Sequence, residues 1–116
     1  MILDCPDPRA LAQFYSSLLG LDITYDSDDF VVVSADATTS GVAFQRVQQH
    51  VGPTWPDPAV PQQIHFDVMV EDIELATARV LEIGARSLDE SDVFADPAGH
   101  PFCLIRRPGW ADPIPG

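Results

Sequence analysis

Apolar and polar residues follow two different periods along this chain, and the periods predict where strands and helices lie. From His65 to Val68 polar and apolar residues alternate, which is typical of a half-buried strand. Between residues 8 and 19 the apolar residues instead recur at helical spacing and form one stripe. The patterns predict, in chain order, strand 1–5, helix 8–19, strands 21–25, 30–34 and 41–47, strand 64–70, a helix that starts at residue 73, and strands 86–89, 93–96 and 102–106.

Residues that start and stop helices support these boundaries. Asp7-Pro8 combines an N-cap acceptor with a proline at the first helical position, and Gly20 is a typical C-terminal stop. Glu71-Asp72 and Gly84 bracket the second helix in a similar way, since acidic residues suit the positive end of the helix dipole. The segment Asp96-Pro97-Ala98-Gly99 has the residue preferences of a type I turn.

The predicted elements form an internal repeat. Gly20 and Gly84 stop the two helices 64 residues apart, and the same offset pairs Met1 with His65. Each block consists of a strand, a helix and three further strands. Two such βαβββ modules predict an α+β fold in which a curved, barrel-like mixed sheet surrounds a cavity, with pseudo-twofold symmetry.

The chain is expected to form one domain followed by a tail. Its 116 residues suffice to bury most of the apolar surface without disulfides or a structural metal. Prolines surround Trp55 in the middle of the chain and favour an ordered, stiff connector, in which Trp55 caps the core or forms one wall of a pocket. The predicted parts are a domain at 1–107, made of module one at 1–47, the connector at 48–63 and module two at 64–107, and a tail at 108–116.

The charge of the chain is strongly acidic. It has 18 Asp and Glu residues against 6 Lys and Arg residues, a formal net charge of −12. Such a surface repels phosphate backbones, so binding of nucleic acid is not expected. The acidity could attract a cationic small molecule or simply keep the protein soluble. No apolar run is long enough to span a bilayer and no signal-like segment is present, so we expect no membrane association and a cytoplasmic location.

Candidate chemistry concentrates in strand 64–70. Strand geometry puts His65 and Asp67 on one face, from which both can face a cavity. Histidine is a common metal ligand, so His65 is either a ligand or a core histidine satisfied by a neighbouring group.

The two cysteines and the other two histidines give weaker indications of a functional site. Cys5 and Cys103 have neither metal-pair nor redox spacing, and both are expected to be small buried hydrophobic residues. His50 and His100 lie in loop contexts and are expected to be solvated.

Both modules contain segments that are similar to one known superfamily. The segments are Leu3-Asp4-Cys5-Pro6-Asp7-Pro8, Leu11-Ala12-Gln13-Phe14-Tyr15 through Gly20-Leu21, His65-Phe66-Asp67-Val68 with Glu71-Asp72, Ile83-Gly84-Ala85, and Asp96-Pro97-Ala98-Gly99-His100 through Leu104. They resemble the vicinal oxygen chelate superfamily, which includes glyoxalases, bleomycin-resistance proteins, extradiol dioxygenases and fosfomycin-resistance enzymes. Trp55-Pro56-Asp57-Pro58 and Pro61-Gln62-Gln63 further resemble its glyoxalase-like domain branch. The resemblance is specific for the fold and weak for the reaction.

The resemblance also implies where a divalent metal would bind. Metal-dependent members hold one ion with His, Gln or Glu residues from the first and last strand of each module. These positions fall on Met1, Gln45, His65 and Cys103. A thioether is a poor ligand for hard metals, and the family's enzymes usually have Glu where this chain has Cys103. His65 is therefore the one good candidate in an incomplete set, because catalytic sites usually need at least three protein ligands. Members commonly begin several residues earlier, so the first strand looks clipped.

Three functional hypotheses follow. The first is a small-molecule binding domain without a complete metal site, with polar anchors at its base and apolar walls. The second is a metal-dependent lyase or dioxygenase centred on His65, and the third is a non-catalytic dimerisation module. A homodimer is expected. The ligand-contacting residues predicted by the first hypothesis are His65, Asp67, Trp55, Phe44, Gln45 and Cys103.

Overall fold

A computed structural model of the chain describes residues 1–88 and 92–113. The chain divides into two units, Met1–Gly52 (unit 1) and Pro53–Gly116 (unit 2), each with its own internal contacts. The secondary structure of both units follows the predicted order closely.

Unit 1 is a four-stranded mixed sheet with one helix. Strand β1 runs parallel to β4, whereas β4 with β3 and β3 with β2 are antiparallel, which gives the order β1-β4-β3-β2. The elements are β1 (Ile2–Cys5), α1 (Pro8–Leu19), β2 (Asp22–Asp26), β3 (Phe30–Ser34) and β4 (Val42–Arg46).

The ends of α1 confirm the predicted caps. The Asp7 side chain accepts a hydrogen bond from the Ala10 N–H at 3.2 Å, and Pro8 occupies the first turn. Gly20 lies in the left-handed region at φ 67°, and its N–H donates to the Ser16 carbonyl at 3.0 Å. Glycine adopts this conformation without the steric cost that a side chain would add, so the helix ends at the residue predicted.

The core of unit 1 is an aromatic cluster between α1 and the sheet. The ring of Tyr15 stacks on that of Phe44, with centroids 5.4 Å apart, and meets the edge of Phe14. Tyr15 and Phe44 are both fully buried. The apolar stripe of α1 therefore packs on the face of β4 that carries Phe44.

Unit 2 repeats the architecture of unit 1. The strand order is β5-β8-β7-β6, again with one parallel pair between the first and last strands. The elements are β5 (Phe66–Val70), α2 (Ile73–Glu82), β6 (Arg86–Ser87), β7 (Val93–Ala95) and β8 (Pro101–Arg106). The α+β class and the two βαβββ modules are thus confirmed. The predicted end of β6 at Asp89 lies outside the described residues.

Strand β5 is shorter than predicted. Pairing begins with Phe66 opposite Phe102, so Ile64 and His65 lie outside the ladder. The preceding position of β8 is Pro101, which has no N–H to donate, and proline is tolerated at the first residue of a strand. His65 therefore sits just before the strand in which it was predicted.

The register of the repeat differs by one residue from the predicted offset of 64. Arg107 N–H donates to Val70 O as Val47 N–H donates to Cys5 O, and Asp72 caps α2 as Asp7 caps α1. The first strands and the helix starts thus correspond at an offset of 65, whereas the last strands correspond at an offset of 60. The segment from Asp72 to Gly84 in unit 2 is one residue shorter than the segment from Asp7 to Gly20 in unit 1. An offset counted between the two glycines therefore misplaces the strands. The predicted match of Met1 with His65 is therefore wrong.

The proline-rich connector is ordered around Thr54. Its N–H donates to the Val60 carbonyl, and its hydroxyl accepts from the Val60 N–H, both at 2.9 Å. The Asp57 carboxylate accepts from the Ala59 N–H, which closes the turn. In the tail, Trp110 is 84% exposed. Neither helix has the length and apolarity that a membrane crossing requires, among the residues described.

Candidate functional site

The register of unit 2 brings three chemically active side chains together. Asp67 on β5 is the direct cross-strand partner of Cys103 on β8. His65 lies two residues before Asp67, and its side chain reaches the same face. One ring nitrogen of His65, one carboxylate oxygen of Asp67 and the Cys103 sulfur lie within 4.8 Å of one another. These three residues are called the His–Asp–Cys cluster below.

The cluster occupies the face of the sheet opposite to the apolar core of unit 2. Phe102 and Leu104 flank Cys103 in the chain, point the other way and are buried, with Phe102 stacked on Phe94. The side chains of His65 and Asp67 are 40% and 52% exposed. Because alternate residues of β8 face opposite sides, Cys103 is only partly buried although its neighbours are core. The prediction of two buried cysteines therefore holds for Cys5 alone.

Both ring nitrogens of His65 have partners. Nδ1 lies 3.2 Å from Gln62 Oε1, and Nε2 lies 3.2 Å from Asp67 Oδ1. His65 is thus satisfied by its neighbours, as one alternative expected, but it is not a core residue. Gln62 was not predicted as a site residue, although it lies three residues before His65 and within the Pro61-Gln62-Gln63 segment that carries the resemblance.

A small cavity opens beside the cluster within unit 2. Its volume is about 40 Å³. Its walls are almost wholly apolar and come from the connector, His65, β7 and β8. Strand pairing brings Val93 into the wall, because Val93 is the cross-strand neighbour of Cys103. The lining residues are Trp55, Gln62, His65, Val93, Pro101 and Cys103. Trp55, His65 and Cys103 were predicted, whereas Gln62, Val93 and Pro101 were not.

The two predicted site residues from module one lie in unit 1. The ring of Phe44 is fully buried in the contact with Tyr15, so its packing explains its identity without a ligand. The side chain of Gln45 is exposed, and its backbone carbonyl accepts a bond from the Cys5 thiol at 3.6 Å.

The corrected register also tests the metal site that the resemblance implies. The residues of unit 1 that correspond to Asp67 and Cys103 are Ile2 and Ala43, which carry no ligand atom in their side chains. Ile2 and Ala43 therefore cannot contribute side-chain ligands, whereas the donor atoms within unit 2 fit a metal ion that accepts nitrogen, oxygen and sulfur.

Asp96, which is buried, and His100, which is partly buried, form a pair next to the site. The Asp96 carboxylate, fully buried, accepts from the N–H groups of Ala98 and His100 and lies 2.9 Å from His100 Nδ1. Gly99 N–H donates to Asp96 O, which confirms the predicted turn. The expectation that His100 is solvated is wrong, because the tight turn folds its ring back onto Asp96. This pair fixes the start of β8, which carries Pro101 and Cys103.

Solved structures of several proteins share this fold. A glyoxalase-related enzyme from Fulvimarina pelagi aligns with a TM-score of 0.67 at 20% identity, over 96% of this chain and 88% of that one. A glyoxalase/bleomycin resistance protein/dioxygenase family enzyme from Burkholderia phytofirmans PsJN gives 0.68 at 14% identity, over 91% and 94%. A bleomycin-binding protein from Streptomyces verticillus, complexed with copper(II)-bleomycin, gives 0.55 at 14% identity, over 92% and 93%.

These similarities show the glyoxalase/bleomycin resistance/dioxygenase fold. Together with the family match over residues 1–105, they confirm the resemblance to the vicinal oxygen chelate superfamily. No curated protein matches the chain significantly. The sequence profile of the glyoxalase-like domain family matches residues 1–105. The chain belongs to the glyoxalase-like domain family.

Proposed function

We propose that the chain binds a small organic molecule, one end of which enters the cavity of unit 2. The observation that supports this most is the combination of apolar walls with polar groups at one edge. Trp55, Val93 and Pro101 help to form an almost wholly apolar surface. The polar groups of Gln62, His65 and Asp67 lie beside it and are paired with one another. Ligand pockets usually have this composition.

The size of the cavity limits what enters it. A volume of about 40 Å³ is well below the roughly 300–1,000 Å³ of pockets that enclose a drug-sized ligand. It still exceeds the ~10–15 Å³ that one water molecule needs. A substituent of a few atoms therefore occupies the cavity, while the rest of the ligand lies along the open face of unit 2.

The charge of the site favours a basic ligand. Asp67 Oδ1 lies 3.2 Å from Nε2 of His65, which lines the cavity, and the chain carries a formal net charge of −12. Both features attract a cation. The Streptomyces verticillus protein of the same fold, described as bleomycin-binding, provides a precedent for small-molecule binding on this architecture.

The test uses three ring probes that differ mainly in charge: benzylamine, benzyl alcohol and benzoate. Trp110 is exposed and is replaced by phenylalanine, so that Trp55 is the single tryptophan and reports binding by fluorescence. We expect benzylamine to bind best and benzoate worst, with chemical-shift changes at Trp55, His65 and Cys103. Asp67→Asn should remove the preference for the amine. Asp4→Asn, which removes an exposed charge from unit 1, should preserve it.

Two outcomes would contradict the proposal. One is the absence of shift changes at the cavity residues with all three probes. The other is an unchanged order of affinities in the Asp67→Asn variant.

A metal-dependent lyase or dioxygenase is the second candidate function, since the His–Asp–Cys cluster offers three donor atoms in one place. A bound ion would supply Lewis-acid polarisation of substrate oxygens. Here His65, Asp67 and Cys103 would hold the ion, and Trp55 would cover the substrate. Metal-dependent turnover that disappears in His65→Ala would support this function over simple binding.

Small-molecule binding and metal-dependent catalysis both need a binding site, whereas a dimerisation module does not. The cavity beside His65 therefore favours the first two hypotheses over the dimerisation hypothesis. A homodimer and a cytoplasmic location stay predictions. Light scattering that gives a mass near 12.7 kDa would contradict the homodimer.

A further inference from the structure

We infer that the ligand of unit 2 is a secondary amine with a short alkyl group on one side of its nitrogen and a larger apolar group on the other. The inference rests on the proposed binding of a basic small molecule and adds the chemical class of that molecule. Its basis is the order of side chains on the face of the sheet that carries the His–Asp–Cys cluster, where a carboxylate lies between two apolar surfaces.

The first apolar surface is the wall of the cavity. Because this wall is almost wholly apolar, a hydroxyl or a charge placed inside it loses its hydrogen bonds to water without replacing them. The volume of about 40 Å³ holds roughly three groups of the size of a water molecule, which needs ~10–15 Å³. A propyl group matches the cavity in both size and polarity, whereas an ammonium group does not.

The carboxylate of Asp67 lies where the charged nitrogen would bind. Its side chain is 52% exposed, and Oδ1 lies 3.2 Å from Nε2 of His65, which lines the cavity. A carboxylate has two oxygens with several lone pairs, so the contact with His65 leaves positions that can accept from an ammonium. A nitrogen bound there keeps part of its contact with water, which avoids most of the cost of burying a charge.

The second apolar surface lies beyond Asp67 along β5. Met69 follows Asp67 by two residues, so it shares the same face, and its cross-strand partner is Ile105. Met69 is 37% exposed, and Ile105 is partly buried. Strands rise about 3.3 Å per residue, which brings Met69 within reach of a benzyl group on a nitrogen at Asp67. The flexible side chain of methionine adapts readily to such a group.

The order His65, Asp67, Met69 therefore places the two apolar surfaces on opposite sides of the carboxylate. A primary amine can use only one of them, because its nitrogen carries a single substituent. A secondary amine uses both and keeps N–H groups that donate to Asp67. The short substituent enters the cavity, and the larger one covers Met69 and Ile105.

The experiment compares benzylamine with its N-methyl, N-ethyl, N-propyl and N-pentyl derivatives, each of which carries one positive charge at neutral pH. Titration of the full chain followed by NMR measures the affinities, with EDTA present to remove any contribution from a metal ion. We expect the affinity to rise roughly fourfold for each added carbon, the gain for one buried CH₂, up to N-propyl. The N-pentyl derivative should bind no better than the N-propyl derivative, because the cavity is then full.

A polar analogue tests the chemistry of the cavity at constant size. N-hydroxyethylbenzylamine has the same number of non-hydrogen atoms as N-propylbenzylamine and the same charge. It should bind more weakly, because its hydroxyl enters an apolar wall. Equal affinities of these two amines would contradict the inference.

A change in the wall should change the preferred chain length. Val93→Ile adds one carbon to the wall and should move the best substituent from propyl to ethyl. Val32→Ile in unit 1 is the matched control, because Val32 pairs with Ala43 as Val93 pairs with Cys103. It should leave propyl as the best substituent. Circular dichroism checks that both variants are folded.

The orientation of the ligand provides a readout in the wild-type chain, which keeps the test decisive if Val93→Ile does not fold. Nuclear Overhauser effects should connect the propyl protons with Trp55 and Val93, and the ring protons with Met69. The reverse pattern, or an affinity that does not depend on the alkyl group, would overturn the inference.

Failure of the inference is distinguishable from failure of the proposed function. Amines that bind beside the cavity and lose their advantage in Asp67→Asn, but bind equally with every alkyl group, would support the proposed function and contradict the secondary amine. No chemical-shift change at Trp55, His65 or Cys103 with any of the amines would contradict both.

Discussion

Units 1 and 2 have the same strand order but divide their roles differently. Helix α1 buries five residues, including Leu11, Phe14 and Tyr15, whereas the described part of α2 buries only Val80. The centre of unit 1 is accordingly an aromatic cluster, and the smaller core of unit 2 depends on Phe94 and Phe102. The repeat reproduces the backbone plan without reproducing the amount of packing.

The open faces of the two sheets differ even more in chemistry. At the positions where unit 2 has Asp67 and Cys103, unit 1 has Ile2 and Ala43. Equivalent strand positions thus carry polar donors in one copy and apolar groups in the other. A repeated fold therefore specifies where side chains can meet, and the sequence of one copy decides whether a site forms there.

Removing the Phe44 ring should have the largest effect on stability and would test whether unit 1 is the better-packed half. Phe44→Ala should destabilise the protein by about 3–5 kcal/mol, because it deletes a fully buried ring that stacks on Tyr15. The corresponding residue of unit 2 is Leu104, and Leu104→Ala should cost about 2–5 kcal/mol. Chemical denaturation measures both changes.

Trp110→Ala is the control for this comparison. Trp110 is 84% exposed, so its removal should change stability by less than about 0.5 kcal/mol. A cost for Phe44→Ala no greater than that of Trp110→Ala would show that the aromatic cluster does not support unit 1.

The fold could be predicted because its signals are local. Helix α1 has an Asp-Pro start, an apolar stripe and Gly20 at its end, and it lies at the predicted residues. Strand β3, which is nearly all apolar, also lies at the predicted bounds. The predicted offset between the two modules was wrong because the pairing of strands depends on ladder hydrogen bonds. The segment between the helix cap and the glycine is one residue shorter in unit 2, so an offset counted from the glycines differs from that of the strands. A shift of one residue moves every side chain to the other face.

The candidate site could be predicted only in part. His65 and Asp67 are two residues apart in an alternating pattern, which places both on the same face of a strand. The resemblance to the family adds Cys103 as the third residue. Val93 and Pro101 reach the cavity through strand pairing, for which a sequence gives no direct signal. The ring of His100 folds back onto Asp96 because the turn places four residues in a tight loop. A propensity for turns identifies the loop but not the side-chain contact.

The loops before the last strand of each unit allow a second comparison. Asp96 in unit 2 is fully buried and accepts from two backbone N–H groups, so Asp96→Ala leaves buried donors unsatisfied. It should cost about 2–3 kcal/mol. Asp36 in unit 1 is exposed and accepts from Thr38 and Thr39, whose donors can turn to water.

Asp36→Ala should therefore have little effect on thermal unfolding, although hydrogen bonds from Thr39 and Thr38 lower the pKa of Asp36 in the folded chain. Differential scanning calorimetry compares the two variants. Equal destabilisation by Asp36→Ala and Asp96→Ala would mean that burial does not distinguish the two loops.

The helix caps provide a third, smaller test, in which the two units should behave alike. Asp7 accepts from Ala10 N–H at 3.2 Å, and Asp72 accepts from Leu75 N–H at 3.1 Å. Asp7→Ala and Asp72→Ala should each cost about 1 kcal/mol in urea denaturation. Replacement by Asn, which also caps helices, should be nearly neutral. A cost at only one of the two positions would show that the two caps are not equivalent in solution.

The smallest effect is expected from an ion pair on the surface of unit 1. Arg9 Nη2 lies 2.8 Å from Asp26 Oδ1, and the hydrogen bond from Arg9 lowers the pKa of Asp26 below its ordinary value of 3.8. Folding therefore favours the ionised carboxylate, so this contribution is fully present above about pH 4 and is lost as the pH falls through the lowered pKa. In Arg9→Ala, carboxyl titration by NMR should show the pKa of Asp26 returning towards 3.8, and the stability difference from wild type should shrink in acid. Arg79→Ala, which breaks the exposed Arg79–Glu82 pair of unit 2, is the control and should leave the Asp26 titration unchanged. A stability difference that grows as the pH falls below 3.8 would have the opposite sign and would show that Arg9 acts through another contact.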